Sequence, residues 1–150
     1  HDSPKDNIRF LTVLAAIIKG VDEYQDLLRI SVASAGNDHR LGADEAPPAI
    51  ISIYLGEELT AILEAIEAGN EYVDTIDRKL ELGVSTLPPI AKDSTDRNRT
   101  SPFAFTGNKF EFRMLGSNLN ISCPNTILNT IVAEELTQFA DELNVLSKKI

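Results

Sequence analysis

Residues 109–114 alternate strictly between charged and apolar side chains, and this two-residue period restricts the segment to a β-strand with two unlike faces. The apolar face comprises Phe110, Phe112 and Met114. The other face comprises Lys109, Glu111 and Arg113. Residues 103–115 surround the turn-forming sequence Thr106-Gly107-Asn108, a pattern typical of a β-hairpin. The sequence therefore predicts a hairpin with phenylalanines in the core and three charges in a row outside.

Apolar residues recur at helical spacing at both ends of the chain. This spacing predicts one long first helix, with a capped start at Ser3-Pro4 and a stop at Gly36-Asn37, and a final helix that opens at Pro124. Between them, the spacing predicts a helix over 57–68 and a buried strand over 49–55, with polar loops over 37–48 and 92–101. The predicted fold class is α+β, with long helices packed on a small, mostly antiparallel sheet, and residues 1–150 form one domain.

The charge and cysteine content exclude several classes of protein. A net charge of −9 opposes sequence-independent binding of nucleic acid and of anionic membranes. The longest apolar run, residues 10–18, is too short to span a bilayer, so we expect no membrane partner. The single cysteine, Cys123, cannot form an internal disulfide and favours the cytoplasm.

Residues 92–113 form a basic island in this acidic chain, with five basic and three acidic residues. Guanidinium groups match phosphate and carboxylate oxygens, and a glutamate among them, here Glu111, can hold a divalent metal ion. The alternative for the hairpin is a solvated face with cross-strand ion pairs. The loop over 37–48 places charged groups beside a glycine and a proline pair, which suits either a mobile lid or an ordinary surface loop.

Two long segments of the chain resemble glutamine synthetase, and more narrowly its type III form. They are NDHRLGADEAPPAI at residues 37–50 and KDSTDRNRTSPFAFTGNKFEFR at residues 92–113. The resemblance implies a partial catalytic domain over residues 1–150. It also implies a ligase that joins glutamate and ammonium through γ-glutamyl phosphate, with ATP and Mg²⁺ or Mn²⁺.

The same resemblance implies a role for individual residues. Glu111 matches a metal-binding carboxylate, and Arg113 matches an arginine that faces the transferring phosphoryl group and the substrate. Lys109 and Arg99 match positions near the nucleotide phosphates, and Arg99 also neutralises charge in the transfer. Arg40 matches an arginine that holds a carboxylate of glutamate. Glu45 matches the flap carboxylate that closes over the site and helps to bind ammonium.

The resemblance also implies a homo-oligomeric ring whose sites form between neighbouring subunits. The chain contains no upstream carboxylate and histidine motifs for the remaining metal ligands, so we expect it to be a piece of a longer polypeptide and inactive by itself. Two other hypotheses stay open at this point. The chain is either a non-catalytic binding or regulatory module with a similar fold, or a scaffold in which the charged row only forms ion pairs.

Overall fold

A computed structural model describes residues 4–44, 46–72, 79–80, 90–91 and 100–148. Within these residues, a short 3-10 helix, Pro4–Asp6, precedes five α-helices. The helices are α1 (Ile8–Glu23), α2 (Gln25–Ser31), α3 (Ala35–Arg40), α4 (Glu57–Glu67) and α5 (Ser122–Ser147). The strands are β1 (Ile53–Tyr54), β2 (Lys79–Leu80), β3 (Ile90–Ala91), β4 (Phe103–Phe105) and β5 (Phe110–Phe112). The predicted α+β class is confirmed.

The prediction of a single long first helix is wrong, because the segment forms three helices, α1, α2 and α3. Tyr24 leaves helical geometry between α1 and α2, although its N–H still donates to the Gly20 carbonyl and its carbonyl accepts from Leu28. The apolar stripe continues across this break, so periodicity alone could not locate it. The start is also displaced, since the side chain of Asn7, not Ser3, caps α1 by accepting from the Phe10 N–H at 3.0 Å.

Helix α3 occupies the first part of the segment that the sequence analysis assigned to a loop. Ser34 caps it by accepting from the Asn37 N–H at 3.2 Å. The buried amide of Asn37 then donates to the carbonyls of Val32 and Met114 at 2.7 and 2.8 Å. These two bonds, of which the one to Met114 is long-range, stabilise a helix in a Gly-Asn sequence that locally favours a stop. The predicted loop remains after Arg40, where Gly42 has a φ of 83° and its N–H donates to the Pro47 carbonyl at 2.8 Å.

The main sheet has the strand order β1-β4-β5 and is mixed. Strand β1 runs parallel to β4, with Ile53 opposite Phe103, whereas β4 and β5 form the predicted antiparallel hairpin. A separate antiparallel pair joins β2 and β3. The strand predicted over 49–55 is shorter than expected, because only Ile53–Tyr54 pairs and Ile50 is exposed. Helix α4 and its terminating Gly69, at a φ of 68°, are as predicted.

The core lies where α1, α2 and α5 pack against the aromatic face of the hairpin. Phe103 is fully buried and stacks on Phe110, with ring centroids 4.9 Å apart. Gly20 lets α5 approach α1 closely, since a Cβ at this position would lie 3.2 Å from Cγ of Glu135 and 3.5 Å from the Ile131 carbonyl oxygen. The sequence therefore predicted the core face of the hairpin correctly.

The apolar spacing in the final helix predicts a buried stripe, and the structure confirms it only in part. Leu128 and Val132 of this stripe pack against the core, whereas Leu143 and Leu146 near the end of the helix are exposed, and the buried residues of α5 are Pro124, Ile131 and Glu135. Glu135 is fully buried and pairs with Lys19 of α1, whose Nζ also lies 3.0 Å from Oε1 of Gln138. The spacing of apolar residues could not predict that a charged residue would be buried between α1 and α5.

Candidate functional site

The hairpin turn sets the geometry of the charged face. The Thr106 N–H donates to the Lys109 carbonyl at 2.8 Å, so Gly107 and Asn108 form a two-residue loop. Gly107 has a φ of 85°, a conformation that such loops require and that glycine adopts without strain. The register places Ala104 opposite Glu111. Because side chains alternate between faces, Thr106, Lys109, Glu111 and Arg113 lie on one face, as predicted for the three charged residues.

Glu111 lies at the centre of this face and is bonded through both carboxylate oxygens. Oε2 accepts from Nε and Nη2 of Arg113 at 3.2 and 3.1 Å. Oε1 accepts from the hydroxyl of Thr106 at 3.2 Å and lies 3.8 Å from Nζ of Lys109. One carboxylate is therefore held by a guanidinium, an ammonium and a hydroxyl group.

The exposed fraction of the charged side chains increases along the row from Arg113 to Lys109. The side chain of Arg113 is 14% exposed, that of Glu111 is 40% exposed and that of Lys109 is 66% exposed. The hydrogen bond from Arg113 is the largest cause that lowers the pKa of Glu111, with smaller contributions from Thr106 and Lys109, against an opposing effect of desolvation. Glu111 is thus an ionised carboxylate, accessible to solvent, with its guanidinium partner more deeply placed.

Arg40 lies next to the end of this row. Its Nη2 donates to the carbonyls of Met114 and Leu115 at 3.0 and 3.1 Å, directly after Arg113 in the chain. Its Nε donates to Oδ1 of Asn37 at 3.0 Å. A guanidinium has five N–H donors, so these bonds leave the Nη1 donors for another acceptor. Arg40, the last residue of α3, therefore lies against the segment that follows β5.

Two of the predicted site residues, Glu45 and Arg99, lie outside the described residues, as do the other two bases of the island, Lys92 and Arg97. The predicted gathering of the loop arginines around Glu111 therefore stays a prediction. What the structure does bring together is Lys109, Glu111 and Arg113, with Arg40 beside them.

The donor chemistry of the row fits a hard divalent cation only in part. A carboxylate oxygen is a ligand that Mg²⁺ prefers, and Mg²⁺ binds one or two carboxylates while keeping waters or phosphate oxygens. Across residues 4–44, 46–72 and 100–148, no three histidine, cysteine, aspartate or glutamate side chains form a group able to hold a metal ion. Glu111 can therefore supply one ligand, and further ligands must come from elsewhere.

A cavity of about 500 Å³ lies on the other side of the hairpin, beside its turn. Its lining includes Phe10, Leu59 and Phe105, with Gly107 and Asn108 at the turn. Phe105 belongs to the core face of β4, opposite to the face of Glu111. The cavity is therefore separate from the charged row.

Two residues of this region escaped the sequence analysis, which counted Thr106 only as a turn residue and Asn37 only as a helix stop. The register of a two-residue hairpin would have placed Thr106 across from Lys109 and diagonal to Glu111. For Asn37 the sequence offers no such signal, because its partner Met114 lies 77 residues away.

These features define an α+β unit with a cationic, half-exposed face arranged around one carboxylate. The chain is similar to three curated proteins. It is 55% identical over 141 residues to the type-3 glutamine synthetase of Dictyostelium discoideum. The matched residues cover 94% of this chain and 19% of that protein. It is 47% identical over 150 residues to a glutamine synthetase of Bacteroides fragilis, covering 98% of this chain and 21% of that protein.

A third relative, a glutamine synthetase of Butyrivibrio fibrisolvens, is 57% identical over 109 residues, covering 73% of this chain and 15% of that protein. These similarities confirm that the chain is related to glutamine synthetase, including the type III form. The chain spans about a fifth of the length of the first two relatives. No protein-family model matches it. Among the described helices, none combines the length and apolar character needed to cross a membrane.

Proposed function

We propose that this chain is part of a glutamate–ammonia ligase, which makes glutamine from glutamate, ammonium and ATP through γ-glutamyl phosphate. The single observation that carries the proposal is the Arg113 guanidinium on Oε2 of Glu111, at 3.2 and 3.1 Å, on a half-exposed face. The names of the relatives support the same reaction.

The reaction requires positive charge more than a protein nucleophile. The γ-carboxylate of glutamate attacks the γ-phosphorus of ATP, ADP leaves, and ammonia then displaces phosphate from the acyl phosphate. Negative charge develops on the phosphoryl oxygens during the transfer, and fixed guanidinium and ammonium groups stabilise it. Lys109 and Arg113 supply such groups at the two ends of β5, directly before and after it, and Arg99 is proposed as another from the preceding loop.

Glu111 is proposed as one oxygen ligand of Mg²⁺ or Mn²⁺. When bound, the divalent ion would neutralise phosphate charge next to the arginines. Oε1 and Oε2 already accept hydrogen bonds, but a carboxylate has about four lone-pair sites and can accept a cation as well. Arg113 and Thr106 keep this carboxylate ionised and oriented before any ligand arrives.

Arg40 is proposed to hold a carboxylate of glutamate through its Nη1 donors. Its other donors fix the guanidinium on the Met114 and Leu115 carbonyls, so the group is already oriented against the backbone that follows Arg113. The loop after Arg40 carries Glu45, which is proposed to close over the site and attract ammonium. A closed loop would also exclude the water that hydrolyses an acyl phosphate.

Three further properties belong to the proposal for the whole protein. We expect a homo-oligomeric ring with sites shared between subunits, a cytoplasmic location where ATP and glutamate are present, and no catalysis by this 150-residue segment alone. Nucleic acid and membranes are not expected partners, since the net charge is −9.

The test uses the full-length protein and measures glutamine formation. Glu111→Ala and Arg113→Lys should each abolish it while the circular dichroism spectrum and oligomer size stay unchanged. Lysine keeps the charge of Arg113 but loses the planar fork that holds Glu111 and matches phosphate. Arg9→Lys is the matched control, because Arg9 is an exposed residue of α1 far from the hairpin in sequence. Near-normal turnover in either hairpin variant would contradict the assigned roles.

A further inference from the structure

Among the described residues, Thr106 is the uncharged side chain that hydrogen-bonds to Glu111. Its hydroxyl donates to Oε1 at 3.2 Å, whereas Arg113 donates to Oε2. The two partners therefore engage different oxygens of the same carboxylate. The contact joins residues five positions apart across the hairpin turn, so the closing of the turn determines it.

The backbone of Thr106 is fixed independently of this contact. Its N–H closes the hairpin on the Lys109 carbonyl at 2.8 Å. The residue is partly buried, and its β-branched side chain has few accessible rotamers. A hydroxyl held in this way restricts rotation of the carboxylate about its terminal torsion, which is otherwise broad.

Arg113 alone does not orient the carboxylate. The two Arg113 nitrogens that contact Glu111, Nε and Nη2, share Oε2, so this contact fixes one carboxylate oxygen and not the other. Lys109 restricts Oε1 only weakly, because its Nζ is 3.8 Å away on a flexible and largely exposed side chain. Thr106 contacts Oε1 through its hydroxyl at 3.2 Å, closer than Lys109 and on a side chain with fewer rotatable bonds.

We propose that Thr106 is a positioning residue that presents the carboxylate of Glu111 to a divalent metal ion. This inference rests on the proposed metal-binding role of Glu111. Hydrogen-bonded partners of metal ligands set the ligand orientation, and their loss typically lowers metal affinity about 10- to 100-fold. Thr106 does not touch the metal or the substrate in this proposal.

The experiment measures Mn²⁺ affinity of the full-length protein by the electron paramagnetic resonance signal of free Mn²⁺. Thr106→Val keeps the β-branched shape but removes the hydroxyl, and it should weaken the Mn²⁺ site about 10- to 100-fold. Thr106→Ser keeps the hydroxyl and should bind Mn²⁺ close to the wild-type level. If the valine variant does not fold, as judged by circular dichroism and oligomer size, Thr106→Ala replaces it with the same expectation.

Glu111→Ala makes the failure of this inference distinguishable from failure of the proposed function. If Glu111→Ala abolishes a Mn²⁺ site and the hydroxyl-free variants retain it at wild-type affinity, the role of Thr106 is wrong while the metal role of Glu111 stands. If Glu111→Ala leaves Mn²⁺ binding intact, both are wrong. Equal weakening by serine and valine would also overturn the inference, because the hydroxyl group would then not be responsible.

Discussion

The guanidinium of Arg113 holds the carboxylate of Glu111 through two nitrogens that share one oxygen, at 3.2 and 3.1 Å. Glu111 lies in β5 and Arg113 directly follows the last residue of that strand, two positions on and on the same face. This pairing makes Glu111 a fixed anion at the centre of a cationic face, and it gives the site a pH dependence that can be measured.

The lowered pKa of Glu111 predicts a contribution to stability that depends on pH. Because the pKa in the folded state is below its ordinary value of 4.5, the contribution is fully present above that value. It is lost as the pH falls through the lowered pKa. Glu111→Gln should therefore lose less stability than the wild type between neutral and strongly acidic pH.

Urea unfolding at a series of pH values, followed by circular dichroism, measures this difference. Glu142→Gln is the control, since Glu142 is exposed on α5. Its acid limb should match that of the wild type. If Glu111→Gln and the wild type lost the same free energy of unfolding on acidification, Arg113 would not stabilise the ionised carboxylate.

Asn37→Ala should destabilise the protein by about 2 to 3 kcal/mol. The substitution removes three side-chain hydrogen bonds, two of them buried. It leaves the carbonyls of Val32 and Met114 without the amide donor and Nε of Arg40 without the Oδ1 acceptor. The free energy of unfolding from urea titration is the measurement. Asn129→Ala, on the exposed side of α5, should change it by less than about 0.5 kcal/mol. Equal effects of the two substitutions would exclude a structural role for the buried amide.

Two glycine-to-alanine substitutions test the close approach between α3 and the segment after β5. A Cβ on Gly116 would lie 3.2 Å from Oδ1 and 3.3 Å from Cβ of Asn37, so Gly116→Ala should cost about 1 to 3 kcal/mol. Gly36 lies in α3 with no atom within 4 Å of such a Cβ, and Gly36→Ala should be neutral or stabilise by up to about 1 kcal/mol. Thermal unfolding measures both, and a reversed order would contradict the packing described.

The ion pair between Lys19, which is partly exposed, and the fully buried Glu135 predicts a non-additive pair of substitutions. Lys19→Met leaves the fully buried Glu135 without its ammonium partner, and it should lower the urea midpoint. Adding Glu135→Leu removes the stranded charge and should recover much of the loss. A double variant less stable than Lys19→Met alone would show that the carboxylate does not depend on Lys19. Glu23, the exposed second partner of Lys19, gives the control Glu23→Gln, with little effect expected.

The hairpin and the helix over 57–68 could be predicted from the sequence because each depends on local chemistry. Strict alternation determined which side of β5 is charged, and Gly107 permitted the turn. The resemblance to glutamine synthetase, carried by two continuous segments, likewise needed no structure and is confirmed by the relatives.

The side-chain contacts between distant parts of the chain were determined only by the tertiary structure. The formation of α3 around the buried Asn37 and the burial of Glu135 each depend on a partner distant in sequence. The bond from Thr106 to Glu111 needs the closed hairpin, and the position of Arg40 needs the Met114 carbonyl. Periodicity and composition reflect the local conformational preference of a segment, whereas these contacts arise from long-range packing. Packing overrides the local preference because buried polar groups require hydrogen-bond partners.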